Sequence, residues 1–265
     1  MAKLDTAPYK GVQDFYPEDM VVLNYIFSVW KKVSERFGYQ EYGASPLELA
    51  EIYKEKSGDE IVNEQMFTFT DRGGREVALR PEMTPTLARM VAARRRALKF
   101  PLRWFSIPNL FRYERPQKGR RREHWQYNCD LLGTADITAD IEIVSIAHAI
   151  MKEFGAKDED FEIRLNYPSG NVAEIHSFME KLRDLGITNT KVDESLARGQ
   201  SYYTGIVFEV FDTNPDNNRS LAGGGRYDHL LEMFDVESTP AVGFAMGDVM
   251  LRDFLTTHKL KPYDA

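Results

Sequence analysis

Six cations crowd into thirteen residues of this chain, Phe111-Arg112-Tyr113-Glu114-Arg115-Pro116-Gln117-Lys118-Gly119-Arg120-Arg121-Arg122-Glu123, although the 265-residue protein carries a formal net charge of −7. Arginine gathered against an acidic background reads as a site for an anion, because its planar fork grips two phosphate oxygens at once. A solvated basic loop or a nucleic-acid patch explains the same run. Aromatic and apolar residues flank it: Trp104-Phe105-Ser106-Ile107 before, Trp125-Gln126-Tyr127 and Leu131-Leu132 after. The expectation is therefore strand, long Arg-rich loop, strand.

Three more segments put chemistry at strand ends or turns. In Arg80-Pro81-Glu82-Met83-Thr84, Glu82 follows a strand and opens a helix. It would suit an ammonium group there, or serve only as a first-turn acid favoured by the helix dipole. After the Arg loop, Gln126 and Asp130 are an even number of residues apart and share one strand face, amid Trp and Tyr. That is a ligand-lined surface or a solvent-facing edge. Arg198-Gly199 precedes Gln200-Ser201-Tyr202-Tyr203-Thr204-Gly205, and Gly223-Gly224-Gly225 precedes Arg226-Tyr227-Asp228. Three glycines permit close ligand approach or a tight hairpin. They fit neither a Walker loop nor a dinucleotide fingerprint. Arg94-Arg95-Arg96 reads as a solvated helix end, with a phosphate contact as the other possibility.

The elements that must position these groups follow from periodicity. Helices are expected over 18–37, 47–58, 84–96, 137–153, 172–185, 227–234 and 247–257. Strands are expected at 39–42, 66–70, 76–80, 161–165, 201–211 and 219–224, with a turn at Gly223-Gly224-Gly225. Strands neighbour one another without β-helix-β alternation, so the fold class expected is α+β with a mainly antiparallel sheet. Hydrophobic residues at 43% and charged residues at 28% fit a globular domain. No apolar run approaches the length of a membrane span, and Met1-Ala2-Lys3-Leu4-Asp5 does not resemble a signal peptide. The single cysteine, Cys129, reads as a buried inert thiol, and the five His show no metal-ligand spacing. These features point to a cytoplasmic protein without membrane partners.

Together the segments resemble the catalytic domain of the histidyl-tRNA synthetases, a class II aminoacyl-tRNA synthetase family. The similarity runs from Gly11-Val12-Gln13-Asp14-Phe15-Tyr16-Pro17 to Gly247. Gly38 through Pro46 resembles motif 1, Phe111 through Gly133 motif 2, Arg198 through Glu209 the family's histidine-specific segment, and Gly223 through Asp228 its GGGRYD loop. The resemblance implies a class II synthetase-like α+β fold, with a six- or seven-stranded antiparallel sheet flanked by helices. It implies activation of histidine with ATP to histidyl-adenylate and transfer to the acceptor stem of tRNA(His), with Mg2+ on the phosphates and a homodimer through motif 1. It implies roles residue by residue: Arg112 and Arg198 at the α-phosphate, Glu114 at the adenine, Arg120 and Arg122 at the outer phosphates. Glu82, Thr84 and Gln126 would surround the substrate amino group; Asp130, Tyr203 and Tyr227 would surround the imidazole. Residues 1–265 would form one catalytic domain, with a short join near 167–171 in place of the family's insertion domain and no anticodon-binding domain.

The chain departs from the family pattern in three places. Asp130 stands where many bacterial members have Glu, and Gln200-Ser201 replaces Leu-Asp. Met250, in Gly247-Asp248-Val249-Met250, stands where motif 3 carries an Arg that stacks on adenine. The lost cation–π contact is worth roughly 0.5–2 kcal/mol. The alternative function is a non-catalytic histidine-binding regulatory subunit of ATP phosphoribosyltransferase, which has no need of the Arg112–Arg122 run. A paralogue loading histidine onto a non-tRNA acceptor is a third reading, favoured by no feature of the sequence.

Overall fold

The structure is a computed structural model. It describes residues 4–262 apart from 56, 59–60, 116, 118, 169–171 and 197–201. The first helix, α1 (Pro17–Arg36), starts where proline is tolerated best, and the Asp19 carboxylate accepts the Tyr16 N–H at 3.1 Å. Its buried face, Leu23, Ile26, Trp30 and Val33, recurs at helical spacing. The strands β1 (Gln40–Glu41), β2 (Leu47–Leu49), β3 (Phe67–Thr70), β4 (Glu76–Leu79), β5 (Leu102–Ser106), β6 (Asn109–Phe111) and β7 (Glu123–Leu132) occupy the first half. Among them lie α2 (Glu51–Lys54), a π-helical turn Ile61–Gln65 and α3 (Thr84–Arg94). The second half runs α4 (Thr138–Glu153), β8 (Phe161–Asn166), α5 (Val172–Asp184), β9 (Thr190–Val192), β10 (Val207–Asp212), β11 (Ser220–Arg226), a 3-10 turn Leu230–Phe234, β12 (Ala241–Gly247) and α6 (Asp248–Thr257).

A nine-stranded sheet in the order β1-β5-β7-β12-β11-β10-β8-β9, with β6 paired to β7, organises the molecule. Among the described residues only the edge pairs β1/β5 and β8/β9 are parallel. The mainly antiparallel α+β architecture expected from the strand clustering is therefore present, with short edge strands beyond the six or seven expected. One face of the sheet packs on α1, α4 and α6 through Trp30, Tyr127, Cys129, Val144, Ile150, Phe208, Phe244 and Phe254, all buried. A three-stranded sheet, β2-β4-β3, stands apart with its own cluster of Ala50, Ile52, Tyr53 and Ala78.

Four expectations need correction. Residues 47–58 form β2 and the single turn α2 rather than one helix, because Leu47 and Leu49 pair with Leu79 and Val77 of β4. Gly223-Gly224-Gly225 is no turn: it lies inside β11, hydrogen-bonded to β10 and β12 on either side. A Cβ on Gly224 would overlap the Gly243 carbonyl, so glycine is used here for close strand packing. The helix expected over 227–234 is only the 3-10 turn Leu230–Phe234. The strand expected from 201 begins at Val207, and β9, three residues on an edge, was not expected at all. Among the described residues no helix is long and apolar enough to cross a membrane.

Candidate functional site

Strand β7 lies between β5 and β12, and its alternation creates the site. Tyr127, Cys129 and Leu131 point into the core, while Gln126, Asn128 and Asp130 face the other way. Beside them β11 and β12 contribute Gly223, Gly243 and Ala245, whose small or missing side chains leave a floor of backbone. The result is a cavity of about 120 Å3 lined by Glu82, Thr84, Arg112, Gln126, Asn128, Asp130, Tyr202, Tyr203 and Tyr227 along with that floor. All six residues expected around the amino acid substrate thus border one small enclosure.

The groups in it are buried and mutually held. Tyr227 donates a very short hydrogen bond to Asp130 Oδ1. Burial nevertheless pushes the Asp130 carboxyl up to about 7, the tyrosine hydroxyl only partly offsetting it. Glu82 sits at the turn between β4 and α3, only 4% exposed. Ser57 donates to its Oε1, and the Tyr202 hydroxyl lies 3.5 Å from Oε2. The rings of Tyr202 and Tyr203 meet at 5.0 Å between centroids, and Tyr202 meets Tyr227 edge-on at 5.8 Å, forming an aromatic wall.

Arg112, Gln126, Gly223 and Ala245 also border a second, wider cavity of about 430 Å3. Its lining includes Glu114, Gly119, Arg120, Arg121, His124, Glu209, Arg219 and Met250. Arg112 therefore stands at the junction, its Nε donating to the Pro81 carbonyl at 2.9 Å. Arg120 pairs with Glu114 at 3.2 Å. His124 is held neutral, its pKa lowered to about 3 by burial and by the Arg112 charge.

Arg122 departs from expectation. It borders neither cavity, and its guanidinium packs 3.8 Å from the Tyr113 ring centroid and donates to Tyr9 Oη at 2.8 Å. Its backbone N–H is bonded to Gly11 O and its carbonyl to Arg112 N–H, which turns it toward the N-terminal segment and leaves neighbouring Arg121 at the cavity. Arg198, Gln200 and Ser201 lie outside the described residues. Sequence reasoning missed Asn128, although its parity with Gln126 and Asp130 marked it. It also missed Tyr202, Arg121, His124, Glu209 and Arg219; for Arg219 no local signal exists. Cys129 is buried, and burial pushes its thiol pKa up, as an inert core residue requires. Among the described residues no three His, Cys, Asp or Glu side chains gather as metal ligands.

Comparison with known proteins places this geometry in a family. The histidyl-tRNA synthetase family model matches residues 11–169 and 165–249. A histidine–tRNA ligase of Leptospira biflexa is 39% identical over 98% of this chain and 76% of its own length. One of Opitutus terrae is 35% identical over 99% of this chain and 77% of its own. Apo histidyl-tRNA synthetase of S. aureus superposes with a TM-score of 0.82 at 28% identity, covering 97% of this chain and 72% of that one. A Bacillus halodurans protein described as an ATP phosphoribosyltransferase regulatory subunit/histidyl-tRNA synthetase gives the same TM-score at 22% identity, a likeness of fold alone. With its central antiparallel sheet, its paired cavities and these relatives, the chain belongs to the histidyl-tRNA synthetase family of aminoacyl-tRNA ligases.

Proposed function

We propose that the chain activates histidine with ATP, releasing pyrophosphate, and passes the histidyl group to tRNA(His). The observation that carries this reading is the junction at Arg112: the small enclosure of Glu82, Thr84, Gln126, Asp130, Tyr203 and Tyr227 opens onto the Arg-rich cavity there. Histidine in the small cavity would set its carboxylate beside an α-phosphate in the large one. A carboxylate oxygen forms a bond to the α-phosphorus, the bond from that phosphorus to the bridging oxygen breaks, and pyrophosphate leaves with the electron pair. The terminal ribose hydroxyl of tRNA then attacks the activated carbonyl, and AMP leaves. No protein nucleophile is needed, so rate comes from alignment and from fixed cations facing the growing phosphate charge.

In this reading Arg112, joined by Arg198, bears on the α-phosphate. Glu114 reads the adenine and Arg120 the outer phosphates. Glu82, Thr84 and Gln126 hold the substrate amino group; Asp130 and Tyr227, with Tyr203, receive the imidazole. Asp130 accepts the Tyr227 hydroxyl on one oxygen, and its other oxygen would discriminate against side chains lacking a ring N–H, which leave that buried acceptor without a donor. Arg122 serves here as the brace between the loop and Tyr9 rather than as a phosphate ligand. Among the described residues no set of side chains fits a resident metal cage, so Mg2+ is assigned only as the counter-ion ATP brings. The join near 167–171 in place of an insertion domain, the single catalytic domain and a homodimer through motif 1 belong to the same proposal. The join has the support of an alignment of 333 residues to the L. biflexa protein, longer than this 265-residue chain.

Histidine-dependent ATP–pyrophosphate exchange tests the reading. Exchange with histidine alone among the amino acids is expected, and it should vanish in Arg112→Ala and Arg198→Ala. Retained exchange in both variants overturns the assigned roles. Histidine binding without exchange would instead favour the regulatory-subunit alternative.

A further inference from the structure

The outer cavity has a second cationic wall that no motif accounts for. Arg120 and Arg121 come from the loop between β6 and β7; Arg219 approaches separately, at the entry to β11. The loop tip reaches across to it. A Cβ built on Gly119 would lie 2.5 Å from the Met250 sulfur and 3.2 Å from Arg219 Cδ, with Arg219 Nε at 3.7 Å. Gly119 also has φ +76°, so the loop turns over at the point where Arg219 and Met250 meet it. Arg219 is half-buried, and among the described residues it makes no ion pair or hydrogen bond. Arg120, by contrast, is paired with Glu114, and Arg112 is tied to the Pro81 carbonyl. Holding a guanidinium half-buried without a carboxylate costs free energy, which an anionic ligand would recover.

The neighbours divide the cavity by chemistry. Met250, Val249, Leu221 and the neutral His124 are surfaces for a flat, uncharged ring. Arg112, Arg120, Arg121 and Arg219 outnumber Glu114 and Glu209, leaving net positive charge for a polyphosphate.

We propose that Arg219 is a nucleotide-binding residue that grips the outer phosphates of ATP from the entry to β11, beside the tip of the Arg loop. This rests on the ATP-dependent reading above and adds a residue to it. Binding and turnover separate the two ideas. ATP, pyrophosphate and adenosine are titrated onto the full chain and onto Arg219→Ala and Arg219→Lys by calorimetry, alongside the exchange assay. Arg219→Ala should weaken ATP and pyrophosphate about tenfold, the scale of one charge-assisted contact, with adenosine and the KM for histidine unchanged. Arg219→Lys should restore part of the loss, which also rules out misfolding. An unchanged pyrophosphate affinity in Arg219→Ala overturns the proposal, as does a loss confined to adenosine, which would put the guanidinium on the base. If the native chain shows the expected binding pattern but no exchange, the catalytic reading fails while the role of Arg219 stands.

Discussion

Asp130→Asn should make the protein more stable and a poorer histidine binder, with a pH dependence that identifies the cause. Asp130 is buried in the small cavity, and its carboxyl is raised from 3.8 to about 7, chiefly by burial. Between those values the folded protein holds a proton that the unfolded chain has released. Stability contributed by this group is therefore present at low pH and is lost as pH rises through the folded value, at about 1.36 kcal/mol per unit. Across roughly three units the loss reaches about 4 kcal/mol, and above pH 7 it is complete. Asparagine keeps the acceptor for the Tyr227 hydroxyl but never ionises. Urea unfolding of both proteins at pH 5 and pH 8 isolates the effect, because every other titrating group is common to the pair. Relative to the native chain, the Asn variant should gain about 2.7 kcal/mol between the two pH values, two units of the slope. Histidine affinity at pH 8 should fall in the same variant, since the anionic acceptor for the imidazole is gone. A stability difference that does not change between pH 5 and pH 8 would refute the buried-carboxylate argument, whatever happens to binding.

Other perturbations follow from the same contacts. Gly224→Ala should cost several kcal/mol and lower the melting temperature sharply, because the added carbon overlaps the Gly243 carbonyl and Phe244 in the middle of the sheet. Gly243→Ala should cut histidine affinity as well, since its carbon would press on Asp130 and lie 2.9 Å from the Tyr227 hydroxyl; calorimetry reads the loss. Arg226 donates to Asp140 at 2.5 Å and to Asp228 at 3.2 Å, and Asp140→Ala should destabilise by about 1–3 kcal/mol in chemical unfolding, since the buried cation then keeps only Asp228 and backbone carbonyls. Ser57→Ala removes the donor to Glu82 and should raise the KM for histidine more than it changes the melting temperature.

How far the sequence was legible depends on the range of the forces at each residue. Helices α1, α3, α4 and α6 were readable because their apolar spacing is local, and so was the pair β3–β4 around Gly73-Gly74. The helix expected over 47–58 failed because Leu47 and Leu49 are held by pairing with β4, a contact made across some thirty residues of chain. The glycine triplet misled because turn and crowded strand demand the same residue: one for its dihedral freedom, the other for its missing side chain.

In the site, residue types and their order along the chain determined the chemistry. The Arg run called for an anion, the parity of Gln126 and Asp130 called for one polar strand face, and both line the cavities. Only the tertiary structure decided which cations do so. Arg121 and Arg122 are adjacent and chemically identical, yet one borders the outer cavity and the other packs on Tyr113 and Tyr9, because backbone pairing with Gly11 and Arg112 selects the direction of each side chain. The sheet likewise brings Arg219 to a loop tip one hundred residues earlier, and sheet pairing that distant leaves no trace in local sequence.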